Sequence, residues 1–237
     1  MTAAKEMNEF ETTRGKPTAF VSADEPLAGP AAAAPVDMQD YWQRFGFSVF
    51  GHGWFQFVNP ETYAPTLDSW LEGTELAEKD SYIAVTRSAF GDINVWGQKT
   101  GHAFTITVLT DSIELRRNND ASDIEKGHSD RRAESLMWSM KTPRVKKTQT
   151  PPLSTRLFLA AQKRLGPLGS DQIYGFVPAL PLGGQIDSEN LQIVSAPEHL
   201  SMLAELSARP VLGFDDLVKR AFGEGAAKDV DGMLSGN

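Results

Sequence analysis

Four histidines, His52, His102, His128 and His199, are the side chains best suited by type to ligate a metal or move a proton near neutral pH. Their spacing does not favour either role. No two stand four residues apart, as a metal-binding pair on one helix turn requires, and none sits in a metal-ligand motif. Surface or capping roles are the simpler reading, and a histidine–carboxylate site assembled only by the fold stays open. Gly51-His52-Gly53 begins like a dinucleotide fingerprint, but no third glycine and no βαβ unit follow. Gly183-Gly184 follows a proline-interrupted run and reads as a tight turn, not a phosphate cradle. There is no nucleophile elbow. The chain has no cysteine, which excludes disulfides, zinc–thiolate centres and cysteine nucleophiles. One carboxylate stands out. Asp92 follows Phe90 and Gly91, and it is either a turn residue accepting backbone N–H groups or an acid or base. The residue inventory points to no enzyme, no metal and no cofactor.

The elements that would carry these residues follow from periodicity and punctuation. Met38, Tyr41, Trp42 and Phe45 recur at helical spacing over 36–45, with Gly46 placed to stop the helix. Phe47 to Phe50 and Trp54 to Val58 read as strands joined by Gly51-His52-Gly53. Asn59-Pro60 opens a helix to about Leu71, which Pro65 is expected to split. Residues 82–117 read as an antiparallel meander in which Phe104, Ile106 and Val108 alternate with polar or outward positions. Helices are expected over 131–141, over 151–164 with Leu153, Leu157, Phe158, Ala161 and Leu165 inward, over 197–206 and over 214–222. A short strand falls at 191–194. Residues 28–35, small and bracketed by proline, read as an arm lying on the domain. The aromatic cluster Trp42, Phe45, Phe47, Trp54, Phe55, Phe57, Tyr63 and Trp70 lies in acidic surroundings. Base-stacking surfaces pair aromatics with Lys and Arg, so this set reads as core.

Charge divides the chain. The total is -8 over 237 residues. Residues 1–115 carry -9, residues 116–165 carry +7 and residues 166–237 carry -6. Two acidic segments flank a basic island. The polar N-terminus, residues 1–17, reads as a flexible tail without the apolar stretch of a signal peptide, and no segment is long and apolar enough to span a membrane. A cytoplasmic protein without a membrane partner is expected.

Several motifs match a known family. Residues 45–71, FGFSVFGHGWFQFVNPETYAPTLDSWL, preceded by Trp42, resemble the GAD-like domain in their W-x-x-x-G-F start, aromatic strand and N-P-x-x-Y leading to W-L. AVTRSAFGDINVW, residues 84–96, is similar to that family's A-F-G-D-x-x-x-W segment. LGPLGSDQIYGFVPALPLGG, residues 165–184, resembles the companion C-terminal domain, and EHLSMLAEL, residues 198–206, also fits it. The motif positions are Trp42, Asn59, Pro60, Trp70, Phe90, Gly91, Asp92, Trp96, Tyr174, Gly175, Phe176, Pro178, Gly183 and Gly184. Being mostly aromatic, Gly and Pro, they form a fold signature. This arrangement occurs in Tdi-type immunity proteins, so the resemblance implies an α+β fold with an antiparallel or mixed sheet flanked by helices, in two closely associated subdomains. The expected division is a tail at 1–17, the GAD-like domain at 18–115, a basic connecting segment at 116–150 and the companion domain at 151–237.

The resemblance also implies a role. Such proteins bind and neutralise a cognate type VI secretion DNase effector toxin, here expected as a one-to-one complex. A DNA-cutting toxin presents a basic surface, which an acidic partner finds quickly. Candidate contacts are Glu72, Glu75, Glu78 and Asp80, with Asp111 and Glu114; a solvated loop is the equal alternative. Direct nucleic-acid binding is not expected. The competing class is a nucleic-acid-binding or regulatory protein using Arg131, Arg132, Arg144, Lys146 and Lys147 within the basic island, residues 116–165.

Overall fold

The computed structural model describes residues 3–23, 26–116, 120–140 and 150–223. The chain forms an α+β fold built on a mixed, mostly antiparallel sheet covered by helices on both faces. Helices α1 (Ala3–Arg14), α2 (Gly29–Ala32) and α3 (Val36–Phe45) come first. Strands β1 (Val49–Phe50) and β2 (Phe55–Phe57) form the first hairpin, and helix α4 (Pro60–Leu71) leads from it. The meander is β3 (Tyr82–Ser88), β4 (Ile93–Gly97), β5 (Gly101–Thr107) and β6 (Ser112–Leu115). Helices α5 (Ala121–Glu125), α6 (Ser129–Ser139) and α7 (Leu153–Leu165) follow. The chain ends in β7 (Gln172–Phe176), β8 (Leu191–Ser195), α8 (Ala196–Leu206), β9 (Val211–Leu212) and α9 (Phe214–Phe222). The large sheet has the order β1-β2-β3-β4-β5-β6-β9, all antiparallel except the parallel β6–β9 pair, and β7 and β8 form a separate ribbon.

Burial explains the two layers. Along β5, Phe104 and Ile106 are fully buried against α4 and α8, together with Ala84, Ile93, Val95 and Ile113. The opposite face buries Val85 and Trp96 beneath α1, α3 and α6, where the aromatics Trp42, Phe45, Phe50, Phe55 and Phe57 gather. The aromatic cluster is therefore core. Phe10 lies at its centre, within 5.8 Å of the ring centroids of Tyr41, Phe45, Phe50, Phe57 and Trp138. A third cluster packs Leu157, Phe158 and Ala161 of α7 on Tyr174, Phe176 and Leu191.

Four local readings change. The expected flexible tail contains α1, which docks by burying Met7 and Phe10; two apolar side chains three residues apart suffice once an aromatic pocket receives them. Residues 28–35 contain a single helical turn, α2, with Pro30 in its first turn and Ala31 buried. Helix α4 runs unbroken through Pro65, begun by Asn59, whose side chain accepts the Glu61 N–H at 3.0 Å. Leu153 does not point inward: it is 45% exposed at the first turn of α7. Gly91 has φ +95°, and a Cβ there would lie 2.7 Å from Leu200, so the turn between β3 and β4 packs against α8 only without a side chain.

Replacing Phe10 with Ala should cost about 3–5 kcal/mol, the range for emptying a buried aromatic site, and lower the melting temperature by roughly 10 °C. An unchanged melt would show that α1 is not part of the core.

Candidate functional site

The sequence motifs at 45–96 and 165–206 meet along one junction. Arg87, on β3, is fully buried there. Its guanidinium donates to Gln56 Oε1 at 2.8 Å, to the Gly53 carbonyl at 3.4 Å and, across the junction, to the Gly169 carbonyl at 3.4 Å. Gln56 completes the crossing: its Oε1 accepts the Asp171 N–H at 2.9 Å and its Nε2 donates to Asp171 Oδ1 at 3.1 Å. Tyr63 of α4 donates its hydroxyl to the same carboxylate at 3.2 Å. Desolvation draws the Arg87 pKa below its usual value, opposed by Tyr63 and Asp171. Above this cluster α4 lies on α8. The Trp70 indole donates to the Leu200 carbonyl at 2.9 Å, and the Thr66 hydroxyl to the Pro197 carbonyl at 3.2 Å.

Many of the motif residues sit on or near this junction. Trp70 is buried there, while Trp42 and Trp96 are buried in the aromatic core on the other face of the sheet. Phe90 and Tyr174 approach to 6.3 Å between ring centroids. Gly175 lies on β7 beneath Val194 and His199. The loop after Phe176 folds on itself: Gly184 N–H donates to the Ala179 carbonyl at 3.1 Å, Gly183 N–H to Leu180 at 3.0 Å, and a Cβ on Gly184 would meet the Pro178 carbonyl at 2.0 Å. Asp92 holds a turn. Its carboxylate accepts the Val108 N–H at 3.0 Å and the Ser88 hydroxyl at 2.9 Å, tying the turn between β3 and β4 to the end of β5. Desolvation raises its pKa, opposed by those two bonds.

The histidines do not converge. His52 occupies a left-handed turn position with φ 58°. His102 is buried, with Nε2 3.2 Å from Asn94 Oδ1 and a pKa pushed down to about 3 by desolvation and by Arg116. His128 precedes α6, 4.0 Å from Asp123. His199 lies on α8, lowered by desolvation. Among the described residues no three His, Asp or Glu side chains are placed to hold a metal ion, and no helix is long and apolar enough to cross a membrane.

The six candidate partner contacts fall into two separate places. Glu72, Glu75 and Glu78 are exposed between α4 and β3, where Glu75 pairs with Lys79 at 2.8 Å. Asp80 differs from them: its carboxylate accepts the Thr100 hydroxyl at 2.7 Å and the N–H groups of Ser81, Lys99 and Thr100, so it braces the turn between β4 and β5. Asp111 and Glu114 follow the other end of β5, and strand rise over its seven residues separates the two ends by about 20 Å. Glu114 accepts the Thr110 hydroxyl at 3.0 Å. In the basic island, Arg132 is bound to Asp123 and lies 3.3 Å from Asp120, while Arg131 is exposed. Arg144, Lys146 and Lys147 fall outside the described residues.

Sequence reasoning passed over Arg87, Gln56 and Asp171. A signal existed in the arginine two residues after buried Val85 within an otherwise uncharged strand.

With this geometry in view, two families match in sequence. The GAD-like domain matches residues 21–110, and the C-terminal domain of the type VI secretion immunity protein Tdi1 matches residues 139–207. In this order the two matches support a Tdi-type type VI secretion immunity protein. No curated protein matches it. Among solved structures, a crystal structure of Atu4351 from Agrobacterium tumefaciens is similar, with a TM-score of 0.64 and 23% identity, covering 87% of this chain and 91% of that one. That likeness shows the fold.

Two outcomes are expected. Arg87→Met should cost on the order of 3 kcal/mol, because the carbonyls of Gly53, Ser88 and Gly169 and the Gln56 Oε1 lose their donor, and hydrogen exchange should rise at both 53–57 and 169–171. Stability should also fall on acidification. His102 stays neutral in the fold down to about 3, whereas the unfolded imidazole takes its proton near 6.5. The contribution is complete above the unfolded value and is lost progressively from there down to about 3, by up to ~1.4 kcal/mol per pH unit. His199 acts in the same direction and Asp92 opposes it. Denaturant titrations of the wild type and His102→Gln at pH 7 and pH 4.5 isolate the His102 share; equal losses on acidification would refute it.

Proposed function

We propose that this chain binds and neutralises a cognate type VI secretion DNase toxin in the cytoplasm of the producing cell, as a one-to-one complex and without catalysis of its own. The observation that carries the reading is the ordered pair of family matches, GAD-like domain then Tdi1 C-terminal domain. The charge distribution supports the nuclease class of partner. A nuclease holds phosphates with Lys and Arg, and this chain carries -9 in its first 115 residues. Glu72, Glu75 and Glu78 stand exposed between α4 and β3 and offer negative charge to such a surface. Their role is to steer the encounter, since rim charges act on association rate more than on final affinity. Arg132 is already neutralised by its own chain, so the alternative of a nucleic-acid binder gains nothing from it.

Co-purification with the product of the neighbouring gene, followed by mass measurement and a DNA-degradation assay, tests the reading. The expected result is a one-to-one complex that no longer degrades DNA. A neighbouring nuclease that neither binds nor loses activity would overturn it. Within the complex, the triple variant Glu72→Lys, Glu75→Lys, Glu78→Lys should slow association about 10-fold at low salt and leave the melting temperature unchanged. An unaltered rate would remove these carboxylates from the encounter surface.

A further inference from the structure

Helices α1, α3 and α6 meet where Phe10 lies between Tyr41 and Trp138, at 5.2 and 5.4 Å between ring centroids. Each helix carries a carboxylate one turn ahead of its ring: Glu6 before Phe10, Asp37 before Tyr41 and Glu134 before Trp138. Residues four apart lie one above the other on a helix. Carboxylates from three helices therefore stand over three neighbouring rings. Asp40 and Asp130 widen the group, and all five carboxylates are half-buried. Burial raises the pKa of Asp37, and Asp130, Asp40 and Glu6 raise it further. Burial likewise raises that of Glu134, with Glu6 and Asp37 adding to it and the chain's amino group and the Trp138 indole opposing.

Among the described residues no ion pair holds any of the five. Three cations of these helices are engaged elsewhere. Arg44 pairs with Glu11 at 3.2 Å, Arg132 is bound to Asp120 and Asp123, and Arg14 donates to the Trp138 carbonyl at 2.7 Å. Lys5 and Arg131 are exposed. A cleft of about 430 Å³ adjoins the group, lined by Glu9, Glu134, Ser135 and Trp138 with Arg131 and Arg132. A second observation is independent of the carboxylates. Tyr41 is only 2% exposed, and its buried hydroxyl has no hydrogen-bond partner. That hydroxyl is aimed at the group: burial raises its pKa, and the carboxylates adding to the rise are Glu134, Glu6 and Asp37. A buried hydroxyl without a partner is costly.

We propose that this face, where α1, α3 and α6 converge, receives an arginine side chain of the toxin, held by Glu6, Asp37 and Glu134 over the Tyr41 hydroxyl. This rests on the proposed function, which supplies a basic partner. Ionised carboxylates only accept hydrogen bonds, and the hydroxyl oxygen also accepts. A guanidinium brings several N–H donors in one plane together with the positive charge. A metal ion does not fit as well, since among the described residues no three such side chains are placed to hold one. Carboxylates half-withdrawn from water and repelling one another weaken the free chain, and a bound cation relieves them. Charge pairs of this kind act on dissociation, whereas the exposed Glu72, Glu75 and Glu78 act on encounter.

The test follows dissociation of the full chain from the toxin encoded beside its gene, with a thermal melt of each variant. The double variant Asp37→Asn, Glu134→Gln should dissociate about 10-fold faster and melt no lower than the wild type, because it removes mutual repulsion. Tyr41→Phe, which deletes only the hydroxyl, should bind about 5-fold more weakly and also keep its melting temperature. The control Glu189→Gln, Glu205→Gln removes the same charge from exposed positions and should dissociate like the wild type. If either the double variant or Tyr41→Phe binds like the wild type, the inference is overturned and the proposed function stands. A double variant that loses binding only because it unfolds leaves Tyr41→Phe to decide. A wild-type chain that does not bind the toxin would overturn the proposed function itself. Millimolar calcium adds a further outcome: a melting temperature that it raises in the wild type and not in the double variant would overturn the inference, because a metal ion would then hold the carboxylates.

Discussion

One buried cation fixes the register of the junction between the two halves of this molecule. Arg87 has no carboxylate within ion-pairing distance among the described residues, and its Nε lacks an acceptor. Such a group is costly to desolvate and only partly compensated. What it supplies is directional. Its donors and those of Gln56 fix the positions of Gly53, Gly169 and Asp171 at once, and Asp171 in turn places Tyr63 and, through its own carbonyl, the Ala196 N–H that opens α8. An apolar junction would hold α4 against α8 at many rotations. This one specifies a single docking.

The sheet above that junction reads as a scaffold with two kinds of cover. On one face, α4 and α8 bring the N- and C-terminal regions together over Ala84, Val95 and Phe104. On the other, α1, α3 and α6 enclose aromatic rings that meet edge-on and tilted, geometries that add to simple area burial. The carboxylates proposed as partner contacts are carried on or beside connections: the segment between α4 and β3 and the turn between β5 and β6. Asp80 ties the first to the turn between β4 and β5, and Asp92 ties the second to the turn between β3 and β4.

Much of this architecture was readable from the chain. Helix α3 and the helix at 214–222 follow apolar spacing to the residue, because both are short amphipathic segments ended by glycine. The meander was legible from alternation and turn glycines. What escaped depended on partners far away in sequence. Strand β7 contains Gly175 and runs into a proline-rich loop, so nothing local marks it; β8 creates it by pairing. Strand β9 is two residues and has no pattern at all. Gln56 and Asp171 are 115 positions apart, and no periodicity connects them. The acidic candidates were found by composition, which cannot distinguish an exposed carboxylate such as Glu78 from Asp80, whose oxygens are already engaged by a turn.

The two-residue strand β9 has a consequence for how the molecule meets other proteins. It lies along β6 with Ile113 opposite Val211 and Glu114 opposite Leu212, and Ile113 N–H donates to the Pro210 carbonyl. At the far side of the sheet, Val49 of β1 is bridged by Ala19. Both margins of the sheet are thus occupied by the protein's own backbone. Among the described residues, a foreign strand finds no long row of open amides at the margins of the large sheet, which disfavours recognition by β-augmentation there. The same closure guards the large sheet against edge-to-edge pairing between copies of the chain.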